Sequence, residues 1–401
     1  MTATFTWLDY SEADRRRALE VADLLREPST VDELGLGVVR DAFANLLFPG
    51  TSTIQTRAAY FLFIPWQYRA LERQRVSSKE VAGRARKAEL ELIDALAASE
   101  HDDGVIGVLA RNTLKRLPSG VYWNGLRAWS IRRFPGSQQR YHEALDAFYA
   151  SLAAPRDDDG NPVDGRAPTS WDPSLPTAPN GFPKGATFQL RPAEAAYLRE
   201  RIIVSHRDSL LAFLVDRGKP TSVDFAWNHP QYAEFGPPYR EQLDHARLFS
   251  EGMHGAQLLY NLMLAEARGN KEWLRLYQGR LEAWAARITP QTSSFARWDR
   301  VRFWAITAEG EAKVGRRTRD FIDSWIDLLI NPGAEAVGGS PEARRRVATR
   351  EQQLKGPRAR LQNRQALLIW GGDAGSGQLD FRWPVTQTIV NDILRGTEPG
   401  A

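Results

Sequence analysis

Cysteine is absent from this sequence, lysine is scarce, and no long apolar run occurs. Without cysteine the chain has no disulfides, thiolate metal sites or cysteine nucleophiles, and nothing points to an oxidising compartment. The few histidines lack the HExxH type of spacing that indicates a metalloenzyme. No segment approaches the roughly 20 apolar residues that span a bilayer. We therefore expect a cytoplasmic protein that uses no metal, no cofactor and no membrane.

The sequence is long and rich in aromatic residues. Its 401 residues exceed what one hydrophobic core usually serves, which predicts two domains. The 13 Trp, 11 Tyr and 17 Phe residues are typical of a folded protein. Composition changes at 154–184, which is dense in Pro, Gly and Asp, although Trp171 and Phe182 predict that part of it packs on a domain. We predict helical domains over 1–153 and 185–401, joined by a linker or ordered loop over 154–184.

Helical periodicity recurs along both predicted domains. The predicted fold is mostly α, a two-domain helical array with amphipathic helices at Ser11–Arg26, Val38–Leu47, Ser78–Ala98, Val105–Arg116, Ser119–Arg133, Ser137–Leu152, Pro192–Val204, Arg207–Asp216, Pro238–Ala267, Lys271–Arg287, Ser294–Thr307, Glu311–Ile330, Pro341–Lys355 and Val385–Leu394. An aromatic helix, buried on every side, is predicted from about Thr53, with a kink or restart at Pro65. Ala366–Trp370 and Gln378–Trp383 predict one small β-hairpin near the C-terminus.

The glycine-rich turn of that hairpin, GGDAGSG, invites comparison with a phosphate-binding loop. Gly372 and Gly377 have the right separation. However, Gln378 and Leu379 stand where Lys and Ser or Thr would contact phosphate and magnesium. We therefore predict no ATP hydrolysis, and because no other catalytic motif is found, we assign no catalytic residue.

The strongest local anomaly is a basic stretch between Gly104 and His142 that contains no Asp or Glu. Cations interleaved with aromatic rings suit a helix-turn-helix element or a platform for single strands. The candidate nucleic-acid-binding residues are Arg111, Lys115, Arg116, Tyr122, Trp123, Arg127, Arg132 and Arg133. The alternative is that Trp123 anchors the core while the arginines pair with acids elsewhere. A second basic run, Pro341–Arg364, suggests phosphate contact or, alternatively, a solvated helix.

Two groups of polar residues are candidates for a pocket. The first is Thr51, Thr53, Gln55 and Arg57, which precede the aromatic helix and have helix capping as their alternative role. The second is Ser250, Glu251 and His254, which share one helical face through spacings of three and four. Here the alternative is structural, because Gly252 and Gly255 would let another helix approach closely.

Three stretches of the chain resemble the signature of a bacterial family of unknown function. They are LFPGTSTIQTRAAYFLFIPW, LKRLPSGVYWNGLRAWSIRRFPGS and FSEGMHGAQLLYNLML. The resemblance implies genes that lie near helicases and other parts of antiphage islands. It implies no catalytic residue.

These observations predict an accessory subunit of a bacterial antiphage defence or DNA-processing system. Its expected partners are DNA or RNA and a helicase or nuclease protein. Two alternatives stay open: a protein-interaction scaffold whose arginine content reflects only its genome, and an unrecognised enzyme with a polar pocket.

Overall fold

The computed structural model describes residues 32–99, 103–152 and 169–397. The predicted helix Ser11–Arg26 lies outside the described residues, as does 154–168 of the predicted linker. The helices of the described segments are α1 Gly37–Leu47, α2 Tyr60–Arg73, α3 Val81–Ala97, α4 Pro118–Ala128, α5 Gln138–Leu152, α6 Pro192–Ser205, α7 Leu210–Arg217, α8 Pro237–Arg268, α9 Lys271–Ile288, α10 Thr292–Ala296, α11 Arg300–Glu309, α12 Arg316–Leu328, α13 Pro341–Lys355, α14 Arg364–Leu368 and α15 Trp383–Thr397. The mostly α prediction is confirmed.

The chain forms two compact units, and each takes residues from two separate parts of the sequence. The first unit takes its described residues from Met1–Phe43 and Asp244–Leu379, and the second from Ala44–Leu243 and Asp380–Ala401. The predicted boundary at 154–184 therefore falls within the second unit. Both units differ in extent from the domains predicted at 1–153 and 185–401.

The predicted C-terminal β-hairpin is wrong, since the described residues contain no strand pair there. Ala366–Trp370 overlaps α14, and Gln378–Trp383 runs without regular structure into α15. The carbonyl groups of the intervening loop accept hydrogen bonds from side chains of α8, including Asn261 to Ala374 O at 3.1 Å. These side chains satisfy the backbone, so that the loop needs no partner strand.

The predicted helix Val105–Arg116 is also wrong. The segment forms turns and a single 3₁₀ turn at Arg111–Thr113. Gly104 and Gly107 adopt φ values of +92° and +84°, which interrupt any helix that starts before them. Only α4 of the predicted helix-turn-helix pair is present.

The core of the second unit is built around α2, which begins at Tyr60 rather than near Thr53. All residues from Tyr60 to Tyr68 are buried, as predicted. The Phe61 ring stacks on Trp129 with centroids 3.8 Å apart. Trp171 is 1% exposed, and its indole N–H donates to Glu72. The prediction that this part of the Pro-rich stretch packs on a domain is confirmed.

In the first unit, the long helix α8 packs closely against its neighbours through two glycines. An added Cβ would lie 2.7 Å from Ile326 at Gly252 and 2.2 Å from Trp284 at Gly255. Both distances are far below ordinary van der Waals contact. The expectation that these glycines permit close helix approach is confirmed.

A methyl group at Gly255 should therefore destabilise the first unit. We expect Gly255→Ala to lower the free energy of unfolding by about 1–3 kcal/mol, because the rigid Trp284 indole must move. Gly279 of α9 meets nothing within 4 Å and provides the control. There, alanine should raise stability by about 0.5–1 kcal/mol through its higher helix propensity. Urea unfolding measures both, and equal effects at the two sites would contradict the packing described.

Candidate functional site

The predicted nucleic-acid residues divide into an exposed and a buried set. The exposed cations, with neighbouring Arg140, form what we call the basic surface, which comprises Arg111, Lys115, Arg116, Arg127, Arg133 and Arg140. Acids from elsewhere in the second unit neutralise part of it. Asp94 pairs with Arg111 at 3.0 Å, and Asp172 pairs with Arg133 at 3.2 Å. Asp94 and Asp172 thus pair with two of the six cations of the basic surface.

Arg132 belongs to the buried set, with 2% of its surface exposed. Its guanidinium donates to the carbonyl oxygens of Trp123 at 3.2 Å and Gly136 at 3.0 Å, and also to that of Phe134. The guanidinium carbon lies 4.5 Å from the centroid of the Trp123 ring. Burial lowers the pKa of Arg132 to about 10, which still leaves the group charged at neutral pH. Arg132 therefore serves to join the end of α4 to the following loop.

Tyr122 and Trp123 are interior residues as well, 0% and 5% exposed. The Tyr122 hydroxyl accepts from the backbone N–H groups of Thr56 and Arg57, at 2.8 and 3.0 Å. The Trp123 indole donates to Gly136 O at 3.0 Å. Neither ring is available to stack on a base, so any nucleic-acid contact in this region depends on the exposed cations.

The polar residues at 51–57 stabilise the turn that precedes α2. Thr51 Oγ1 donates to Phe48 O at 2.7 Å, and Gln55 Nε2 donates to Gly50 O at 3.2 Å. Thr53 is exposed. The N-cap residue of α2 is Ala59, whose side chain makes no capping hydrogen bond. Thr51 and Gln55 thus hold the turn.

Arg57 forms a bidentate ion pair with Asp392 of α15. Its Nε and Nη2 lie 2.9 and 2.8 Å from the two carboxylate oxygens. Asp392 also accepts from Ala58 N–H at 3.0 Å. Burial lowers the pKa of Arg57, but the hydrogen bonds and charge of Asp392 outweigh it and the pKa is raised overall. This pair fastens the turn before α2 to the last helix of the second unit.

One polar face of α8 binds the glycine-rich loop in the first unit. Ser250 donates to Leu379 O at 2.7 Å, and Gln257 donates to Gly375 O at 2.9 Å. His254 lies between them and contacts Ser376 O at 3.1 Å. Glu251 is turned aside and accepts from Arg247 at 3.1 Å. Of the three predicted residues, Ser250 and His254 share a face that binds loop backbone, and Glu251 does not belong to it.

A polar cleft of about 640 Å³ opens beside this loop. It is lined by His254, Leu258, Arg280, Ala283, Trp284, Arg287, Asp373, Ser376, Gly377 and Gln378. Arg280 Nη1 donates to Ser376 Oγ at 3.3 Å, and Arg287 Nη1 donates to Gln378 Oε1 at 3.0 Å. Neither arginine belongs to a motif that the sequence indicates. Their spacing of seven residues does place them on one face of α9, but nothing local indicates that the glycine-rich loop lies opposite.

The contacts of His254 fix its tautomer. Ser376 O can only accept, so Nε2 must carry the proton, and Nδ1 then accepts from Arg287 Nη2 at 3.4 Å. Burial and the charges of Arg287 and Arg280 lower the pKa of His254 to about 4. The imidazole is thus neutral at physiological pH, with both nitrogens engaged. It positions the loop and Arg287 and has no nitrogen left for general-base catalysis.

The second basic run, Pro341–Arg364, is largely neutralised within the first unit. Arg344 pairs with Glu266 at 2.6 Å, and Arg346 pairs with Glu342 at 2.7 Å. Arg350 is 3% exposed and donates to Leu34 O at 2.8 Å. Most of this run is therefore structural.

No group of three or more His, Asp or Glu side chains within 32–99, 103–152 and 169–397 is arranged to hold a metal ion. No helix in these segments combines the length and apolar character needed to cross a membrane.

Comparison with known proteins identifies a family. The model of a family of unknown function, DUF6361, matches residues 2–395. The chain belongs to this family. No curated protein matches it, and no solved structure does. Membership of DUF6361 therefore brings no activity with it, and a function for this member must be argued from its own surfaces.

Proposed function

We propose that this protein is a nucleic-acid-associated accessory subunit of a bacterial antiphage defence or DNA-processing system. In this proposal it engages DNA or RNA through the basic surface and acts with a helicase or nuclease partner. The chemistry of the basic surface supports the nucleic-acid part. The defence setting and the partner rest on the sequence resemblance alone.

The observation that carries the proposal is the exposure of six cations within 111–140, a stretch of sequence that contains no Asp or Glu. Arg116 and Arg127 reach backbone carbonyls, of Gly120 at 3.4 Å and Arg133 at 3.1 Å. A contact with a neutral carbonyl leaves the positive charge of a guanidinium in place, and Arg127 keeps further N–H groups that can bind phosphate oxygens. Since no base-reading ring is exposed among the predicted residues, the expected binding is to the phosphate backbone and is not sequence-specific.

Reversing three of these charges should abolish binding. We expect the variant Lys115→Glu, Arg116→Glu, Arg127→Glu to bind single-stranded and double-stranded DNA and RNA at least about 100-fold more weakly than the wild type at low salt. Fluorescence anisotropy measures the affinity, and the melting temperature should stay unchanged because all three side chains are exposed.

A matched control reverses three exposed cations elsewhere in the second unit: Lys184, Arg207 and Lys219. This control has the same net charge as the test variant and should retain wild-type affinity. If both triple variants lose binding equally, then overall charge, and not the basic surface, is responsible. If neither loses binding, the surface does not bind nucleic acid.

A further inference from the structure

The polar cleft beside the glycine-rich loop has a cationic wall with no acid to balance each charge. Arg280 and Arg287 lie within 4.0 Å of no carboxylate among the described residues, although ion pairs are common elsewhere in this chain. Both are exposed and lean on the same short segment, at Ser376 and Gln378. This arrangement brings two guanidinium groups to one side of the cleft.

Gln378 connects the loop to this cationic wall through its Oε1, which accepts from Arg287 at 3.0 Å. This contact fixes the orientation of the amide. Gln378 Nε2 is inaccessible to solvent, so Gln378 acts here by orienting Arg287.

The guanidinium groups also retain unused capacity. Arg280 donates one N–H to Ser376, and Arg287 donates two, to Gln378 and His254. Each guanidinium has five. Hydrogen bonds to the loop alone would not require positive charge, because neutral side-chain donors could make the same bonds. Asp373 also lines the cleft, but one of its carboxylate oxygens accepts from Ser376 N–H at 3.0 Å. The charged side chains that line the cleft thus have a net positive charge.

The remaining walls suit an organic group. Leu258, Ala283 and the edge of Trp284 provide an apolar surface next to the cations. A volume of about 640 Å³ lies in the range of small-molecule sites. Two guanidinium groups form a donor set that fits the oxygens of a phosphate group.

We propose that the polar cleft binds a phosphate dianion, free or as the monoester of a small molecule of nucleotide size. Arg280 and Arg287 hold the phosphate oxygens. His254 contributes by positioning Arg287 and the loop. This site lies in the first unit and shares no residue with the basic surface, so each proposal can fail without the other.

Isothermal titration calorimetry with inorganic phosphate, adenosine 5′-monophosphate and adenosine tests the proposal on the full chain. We expect phosphate and the monophosphate to bind and adenosine not to bind. Tighter binding of the monophosphate than of phosphate would identify a monoester ligand, and equal binding would identify the free dianion as sufficient. The proposal is overturned if neither phosphate compound binds at millimolar concentration.

Arg280→Gln and Arg287→Gln should each weaken phosphate binding at least about tenfold, because they remove a charge-assisted contact. Glutamine retains an amide that can still donate to the loop. Arg275→Gln, an exposed position on the same helix, is the control and should bind as the wild type does.

Thermal unfolding distinguishes a ligand site from a purely structural role of the two arginines in holding the loop. Phosphate should raise the melting temperature of the wild type and the control but not of the two variants, whereas equal shifts in all four proteins would contradict the assignment.

Discussion

Arg132→Ala is expected to lower the free energy of unfolding by about 3–5 kcal/mol, even though it removes only one residue of a strongly basic segment. The guanidinium is 2% exposed and satisfies the carbonyl groups of Trp123, Phe134 and Gly136. Its loss removes a charged donor from all three carbonyl groups, of which Gly136 O still accepts from the Trp123 indole, and removes the contact with the Trp123 ring. Each unsatisfied buried acceptor costs about 1–3 kcal/mol, reduced wherever water enters the space left behind.

Arg133→Ala is the natural control for this experiment because it removes the same charge one position later. Arg133 is exposed, and its pair with Asp172 should contribute no more than about 1 kcal/mol. Urea unfolding followed by tryptophan fluorescence measures both variants. The assignment of Arg132 to the interior would be contradicted if Arg132→Ala unfolded like the wild type while losing nucleic-acid affinity.

Asp392→Ala should have the second largest effect, a loss of about 2–4 kcal/mol of stability. The carboxylate is 5% exposed and accepts two hydrogen bonds from Arg57 and one from Ala58 N–H. Its removal leaves a half-buried guanidinium and a buried N–H group without partners. Because Arg57 retains some access to water, the expected loss is smaller than for a fully enclosed pair.

Asp94→Ala provides a comparison for Asp392→Ala. It breaks an ion pair with Arg111 in which both side chains are more than half exposed, so the expected change is at most about 1 kcal/mol. Thermal unfolding at neutral pH measures both. A loss from Asp392→Ala no larger than that from Asp94→Ala would show that the turn before α2 does not depend on this carboxylate.

Helix positions could be predicted wherever capping residues and periodicity agreed. The predicted span Pro341–Lys355 coincides with α13. There Ser340 Oγ accepts from Ala343 N–H at the start, and Gly356 follows the end with a positive φ. The local sequence pattern did not predict segments whose structure depends on tertiary contacts. The supposed hairpin is apolar because Trp370 and Leu379 pack into the first unit, and its backbone is satisfied by α8.

The candidate sites also divide into features that the local sequence predicted and features that depend on tertiary contacts. Composition located a basic stretch, and several of its cations do lie on the surface. It could not distinguish Arg132 from Arg133, because neighbouring residues of one charge differ only in which tertiary carbonyl groups lie within reach. The polar face of α8 was predictable from spacing. The role of the two arginines of α9 was not predictable, because their partners lie in a loop about 90 residues further along the chain.

The most direct test of the proposed function is the salt dependence of wild-type binding to short DNA and RNA, measured by fluorescence anisotropy. Engagement of about five phosphates by the basic surface predicts that affinity falls about 100-fold or more between roughly 50 and 200 mM salt. The slope should become shallower in the Lys115, Arg116, Arg127 charge-reversal variant. Absence of binding at low salt, or binding whose affinity is insensitive to salt, would contradict a role in contacting nucleic acid.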